Sequence, residues 1–226
     1  MNKYLFFDID GTLVHSGGAG KIALTKAFQQ LFDEPQFTDI RINGCTDRGI
    51  AKQIFESHGI EDSQVNWHRF RAEYLEQLPD TLNERQGNVL TGVIELLDEL
   101  LRHDHLQLGV LTGNTRRGAE LKLAHFGLDG YFSFGAFGDN HVERDDVARS
   151  ALAELRMLHG NVNPSNVWII GDTPNDIRCG RAIDAMVLAV ATGTFSLAEL
   201  AEYEPDFLME DLCAANRWLE QLGVSR

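Results

Sequence analysis

Hydrophobic positions along this chain follow two different rhythms. Tyr4, Leu5, Phe6 and Phe7 form an unbroken apolar run that stops abruptly at Asp8-Ile9-Asp10-Gly11. A short apolar run bounded by a turn signal reads as a strand buried on both faces. Then the spacing becomes helical. Ile22, Leu24, Ala27, Phe28 and Leu31 predict a helix over 21–32, ended by Asp33, Glu34 and Pro35. Thr46 and Asp47 cap a second helix through Ile50, Ala51, Ile54 and Phe55, closed at Gly59. Trp67, Phe70, Tyr74, Leu75 and Leu78 predict a third over 63–78, with Pro79 as its stop. Residues 17–85 are therefore a helical block without a strand.

From there the rhythm changes. An amphipathic helix at 91–101 leads into apolar runs at 106–111, 131–134, 167–170, 186–190 and 207–209. These alternate with helical patterns at 118–126, 145–158, 177–183, 197–203 and 213–222. Alternation of strand and helix implies right-handed βαβ units and a mainly parallel sheet. The predicted fold class is α/β, a Rossmann-like sheet flanked by helices. Its core is 1–16 with 86–226, and an all-helical cap at 17–85 is inserted after the first strand.

Composition narrows the partners. The formal charge of −14 over 226 residues argues against nucleic acid or an anionic membrane surface. It also opposes an anionic substrate, unless a divalent cation and a local basic residue invert the field inside one pocket. Cys45, Cys179 and Cys213 are isolated and read as reduced, small apolar side chains. The run at Leu5 to Phe7 is too short for a signal peptide or a membrane span, so a cytoplasmic protein is expected. Gly17, Gly18 and Gly20 precede Lys21, but His15 stands where a P-loop needs glycine and Ile22 where it needs Ser or Thr. A flexible hinge fits better. His103 and His105 lie in a polar turn and read as solvated.

Asp8 and Asp10 have no role inside a buried strand. They belong at its carboxyl end, where open α/β sheets place their ligands, with Gly11 permitting a sharp turn behind them. Two later apolar strands end in comparable fashion, one at Thr112-Gly113-Asn114 and one at Gly171-Asp172-Thr173-Pro174-Asn175-Asp176. Asp-Ile-Asp-Gly-Thr-Leu at 8–13, the Thr112 segment and the Gly-Asp-x-x-x-Asp segment together resemble the ordered motifs of the haloacid-dehalogenase-like hydrolases. The cap position resembles the phosphoglycolate-phosphatase and β-phosphoglucomutase-like subgroup.

The resemblance implies specific roles. Asp8 would be the nucleophile that becomes an aspartyl-phosphate, and Asp10 the general acid and base. Thr112, Gly113 and Asn114 would bind phosphoryl oxygens. Mg2+ would be held by Asp8, Asp172 and the backbone carbonyl of Asp10, with Asp176 supporting. Many family members carry Lys-Pro before the helix at 145–158; this chain has no such pair. Arg144 occupies the matching place and Arg149 is the competing cation. Gly44, Thr46, Asp47 and Arg48 in the cap are candidates for substrate contact. The implied activity is a Mg2+-dependent phosphatase acting on a small phosphorylated metabolite. One rival is a sugar-phosphate mutase, whose hinge histidine is here replaced by Gly20. A phosphonate-cleaving relative would need a lid lysine, and Lys21, Lys26 and Lys52 match no such motif. A non-catalytic binding protein is the rival from a different class. Nothing in the sequence speaks to oligomeric state.

Overall fold

The computed structural model describes residues 2–33, 36–37, 40–213 and 215–224. The predicted helix stop at Glu34 and Pro35 lies outside the described residues. Strand β1 (Lys3–Phe7) is followed by a two-residue strand β2 (Val14–His15) and by helices α1 (Ala19–Phe32), α2 (Asp47–Ser57) and α3 (Gln64–Glu84). The chain returns through β3 (Asn88–Val89) and α4 (Val93–Leu100) to β4 (Leu106–Leu111), α5 (Arg116–His125) and β5 (Phe134–Ala136). It finishes with α6 (Arg144–His159), β6 (Val167–Gly171), α7 (Pro174–Arg181), β7 (Met186–Val190), α8 (Leu197–Ala201), β8 (Phe207–Met209) and α9 (Asn216–Leu222).

Six of the strands form one sheet in the order β5-β4-β1-β6-β7-β8, with every neighbouring pair parallel. The order reverses beside β1, because the chain runs outward to β4 and β5 on one side and to β6, β7 and β8 on the other. Such a switch point opens a crevice beyond the carboxyl ends of the strands. Alternating β1 side chains feed two separate cores: Leu5 and Phe7 pack with Trp168 and Trp218 on one face, Tyr4 and Phe6 with Val147 and Ile169 on the other.

Helices α1 to α3 bury a third cluster of their own, including Phe28, Ile54, Phe55, Trp67, Phe70 and Leu78. Two crossings link them to the sheet, and both pass through the antiparallel ribbon that pairs Val14 with Val89 and His15 with Asn88. The apolar pattern does not announce this ribbon, since neither strand exceeds two residues.

Several boundaries depart from the sequence reading. Helix α3 does not stop before Pro79; it continues through the proline to Glu84. Burial of Thr81 and Leu82 against the cap core outweighs the hydrogen bond that proline cannot donate. Strand β5 begins at Phe134 rather than 131, in register with Gly109 to Leu111. Helix α5 starts two residues earlier than expected, capped by the Thr115 hydroxyl, and α7 starts at Pro174, behind a reciprocal cap between Thr173 and Asp176. Helix α4 starts only at Val93, after Gly92 at φ 82°. Cys45, Cys179 and Cys213 are free thiols. No helix among the described residues is long and apolar enough to cross a membrane.

Candidate active site

The site is built from the segments that leave the carboxyl ends of β1, β4 and β6. At the end of β1, Asp8 N–H still donates to Ile170 in β6, at 2.9 Å. The chain then coils tightly: the Ile9 carbonyl accepts from Thr12, Leu13 and Val14, and Gly11 turns with φ 86°. This coil turns Asp8 and Asp10 to different neighbours.

Asp8 is buried, as are Asp172 and Asp176, and one carboxylate oxygen from each lies within 4.8 Å of the other two. Backbone closeness holds Asp172 in place. A Cβ on Gly11 would come within 2.4 Å of its Oδ2, and one on Gly193 within 1.7 Å. Thr12 donates its hydroxyl to Asp172 Oδ1 at 3.0 Å. Arg144, buried at the start of α6, donates to Asp176 Oδ1 at 2.5 Å and places the same Nη2 3.0 Å from Asp8 Oδ1. That second approach is an ion pair without hydrogen-bond alignment, and Asp8 Oδ1 has no hydrogen-bond partner among the described residues. Asp176 spends its other oxygen on the Thr173 N–H and hydroxyl, at 3.0 and 2.7 Å. Arg149 pairs with Asp146 on the exposed face of α6, away from the cluster.

Three carboxylates against one guanidinium leave a negative surplus, and the protonation equilibria reflect it. Burial pushes the Asp8 carboxyl up to about 6, and Asp176 and Asp10 add to the rise despite Arg144. Asp172 is likewise raised well above the carboxylate range, by burial first and then by Asp176 and Asp8. The same contacts with Asp176 and Asp8 hold Arg144 firmly protonated, overcoming its burial. An orphaned buried oxygen in a cluster of hard carboxylate donors with surplus negative charge fits a divalent cation.

Asp10 has different company. Its Oδ2 accepts from Lys122 Nζ at 2.5 Å and from Asn114 Nδ2 at 2.9 Å, and its Oδ1 accepts from Ser16 at 3.3 Å. Burial alone would raise its carboxyl; the Lys122 charge and these hydrogen bonds bring it below the usual value. Its side chain therefore stands apart from the cluster of Asp8, Asp172 and Asp176. Thr112 is buried at the end of β4, and its Oγ1 accepts from the Asn114 amide side chain at 2.8 Å.

Sequence reasoning missed Lys122. The signal was available: Gly118, Ala119, Lys122 and Leu123 are the buried residues of α5, so the lysine falls on the face that a 3.6-residue period turns inward.

The loop before α2 lies directly on these segments. Gly44 carbonyl accepts from Asn175 at 2.6 Å, and the Thr46 hydroxyl reaches the His141 and Val142 carbonyls at 2.6 and 2.9 Å. Asp47 N–H donates to the Gly113 carbonyl at 2.7 Å, and its Oδ2 accepts from Thr115 N–H at 2.7 Å. The Thr46 hydroxyl is thus committed to docking and to capping α2. Arg48 turns into the cap, paired with Asp62 at 2.6 Å and stacked over Trp67. Between this loop and the sheet lies a cavity of about 650 Å³, lined by Asp8, Asp10, Thr112, Gly113, Asn114, Lys122, Arg144 and Asp172 from below, and by Lys21, Asn43, Gly44, Asp47 and Tyr74 from above. Thr46 and Arg48 do not line it.

A doubly wound sheet with buried carboxylates and a basic partner at its switch point, covered by a helical block, defines an α/β protein with a charged pocket between sheet and cap. The comparisons with known proteins specify it. The chain belongs to the haloacid dehalogenase-like hydrolase family, whose model matches residues 5–190. It is 27% identical over 232 residues to a phosphoglycolate phosphatase of Agrobacterium fabrum, covering 100% of this chain and 96% of that protein. It is 29% identical over 211 residues to a phosphoglycolate phosphatase of Synechococcus elongatus, covering 91% and 92%. Among solved structures, CbbY from Rhodobacter sphaeroides in complex with phosphate shares the fold at a TM-score of 0.73 and 17% identity, over 95% of this chain and 96% of that one.

Proposed function

We propose that this chain is a Mg2+-dependent phosphatase of small phosphorylated metabolites, with 2-phosphoglycolate as the first substrate to try. The observation that carries the reading is the convergence of Asp8, Asp172 and Asp176 in one buried cluster, with Asp8 and Asp172 lining the cavity and Arg144 3.0 Å from Asp8 Oδ1. The full-length relatives named as phosphoglycolate phosphatases support the substrate class.

Asp8 and Asp172, with the carbonyl of Asp10, would hold the Mg2+. When bound, it supplies positive charge that keeps Asp8 ionised and offsets the phosphoryl oxygens. Asp8 attacks phosphorus in line, forming an acyl-phosphate as the ester P–O bond breaks. Asp10, ionised in the free protein, relays a proton brought by the phosphate monoester monoanion to the departing alkoxide, then takes one from the water that cleaves the acyl-phosphate. The Thr112 hydroxyl and the N–H groups at Gly113 and Asn114 bind phosphoryl oxygens as charge shifts among them. Arg144 balances Asp8 through the cycle, and Asp176 holds Arg144 in place. The helical block 17–85 acts as the lid that excludes bulk water, and the protein works in the cytoplasm.

The test is a panel of phosphorylated metabolites, assayed with Mg2+ and with chelator, on the native chain and Asp8→Asn. Phosphate release should disappear with chelation and fall by at least about 10³-fold in the variant. Activity that survives Asp8→Asn would remove the covalent route. Accumulation of an isomerised sugar phosphate in place of free phosphate would replace hydrolysis by phosphoryl transfer between hydroxyls.

A further inference from the structure

Lys122 is a nearly fully buried ammonium on a core helix, and no step above uses it. Its Nζ donates to Asp10 Oδ2 at 2.5 Å and to Asn114 Oδ1 at 2.7 Å. The amide nitrogen of the same Asn114 donates to the same Asp10 oxygen at 2.9 Å. The three side chains close a triangle in which the lysine fixes the amide's orientation and both point donors at Oδ2. Asp10 and Asn114 lie in the loops that follow β1 and β4, and Lys122 lies in α5. Helix α1 passes above the ammonium at Gly20, where a Cβ would make an ordinary 3.5 Å contact with Lys122 Nζ.

We propose that Lys122 is a positioning residue for proton transfer, holding Asp10 by Oδ2 so that Oδ1 alone exchanges a proton with the reacting groups. The proposal rests on the phosphatase reading above. With two N–H donors already on Oδ2, a proton carried by Asp10 has to reside on Oδ1, whose partner is the Ser16 hydroxyl at the longer distance of 3.3 Å. In the first half-reaction, Asp8–phosphorus bond formation accompanies ester cleavage, and the proton leaves Oδ1 for the alkoxide to give the alcohol. In the second, water adds to phosphorus, the Asp8–phosphorus bond breaks, and a water proton returns to Oδ1.

The experiment compares two esters on Lys122→Met and Lys122→Arg. Here kcat/KM reports steps through transfer to Asp8. An alkyl ester such as 2-phosphoglycolate needs a proton on its leaving group, whereas p-nitrophenyl phosphate departs without one. Lys122→Met should lose about 100-fold in kcat/KM on the alkyl ester. On the aryl ester kcat and KM should fall together, leaving kcat/KM within about threefold. Lys122→Arg, which keeps donors, should recover part of the alkyl loss. If the Met variant does not fold by circular dichroism, Asn114→Ala removes the other Oδ2 donor and should show the same preference. Equal losses on both esters, or no loss on either, would overturn the proposal while leaving the phosphatase reading intact. A native chain that hydrolyses neither ester would remove that reading and this proposal with it.

Discussion

Asp172 meets three influences at once: a glycine backbone on either side, the Thr12 hydroxyl, and two neighbouring carboxylates at Asp8 and Asp176. Its folded carboxyl titrates above its unfolded value of 3.8, and burial is the leading cause. The sign of the stability effect follows. Between the unfolded and folded values the folded chain binds more protons, so stability is gained as pH falls into that window and lost as pH rises out of it. Ionising the group is a standing cost of the cation-free protein. Asp172→Asn keeps the Thr12 hydrogen bond, because an amide oxygen also accepts, and removes the charge. In chelator at pH 7.5 the variant should be more stable than the native chain by on the order of 1–2 kcal/mol in urea melts, while losing phosphatase activity. The difference should narrow as pH falls through the folded value, where the native carboxyl takes up its own proton. A variant less stable than native at pH 7.5 would mean that the carboxylate cluster is already compensated without a cation.

At the scale of elements, one backbone position decides how the cap and core meet and another strains the longest cap helix. Gly113 has no room for a side chain, since a Cβ would lie 2.1 Å from the Cys45 carbonyl in the loop before α2. Gly113→Ala should therefore push that loop off the sheet, raising KM at least about tenfold, with a thermal midpoint within about 3 °C of native. Pro79 sits in the interior of α3, where its ring displaces one backbone hydrogen bond. Pro79→Ala should raise stability by about 1–3 kcal/mol in chemical denaturation, and no change would mean that the helix already bends to absorb the ring. These two positions also show what a sequence conveys. Strands β4, β7 and β8 were legible to the residue because each is a short, mostly apolar run set between helical patterns. Asp8, Asp10, Thr112 and Asp172 stood out as candidates because each lies within three residues of the end of an apolar strand. The continuation past Pro79, the β2–β3 ribbon and the inward lysine of α5 were not, because each depends on a partner far away in the chain. Burial by the cap core holds α3, a two-residue pairing across the inserted helices makes the ribbon, and Asp10 and Asn114 give Lys122 its place.

The whole molecule carries a formal charge of −14, so any cation added to it has two ways to stabilise it. Screening relieves repulsion across the entire surface and depends on ionic strength alone. Occupation of the Asp8, Asp172 and Asp176 cluster is specific and saturates. Ligand linkage gives the size of the second effect: about 2.7 kcal/mol at a hundred times the dissociation constant. For a chain of this length that is roughly 5–10 °C in the thermal midpoint. Thermal melts at pH 7.5 in MgCl2 should therefore rise by that amount over NaCl at matched ionic strength, and the excess should vanish in Asp172→Asn. Repeating the melts at pH 5 separates the mechanisms further. Asp8, with its carboxyl held near 6, is then mostly protonated in the cation-free fold, so Mg2+ must displace a proton and the excess should shrink. Screening has no such requirement. Equal midpoints in the two salts at pH 7.5 would assign the stabilisation to the surface charge as a whole and leave the carboxylate cluster without its cation.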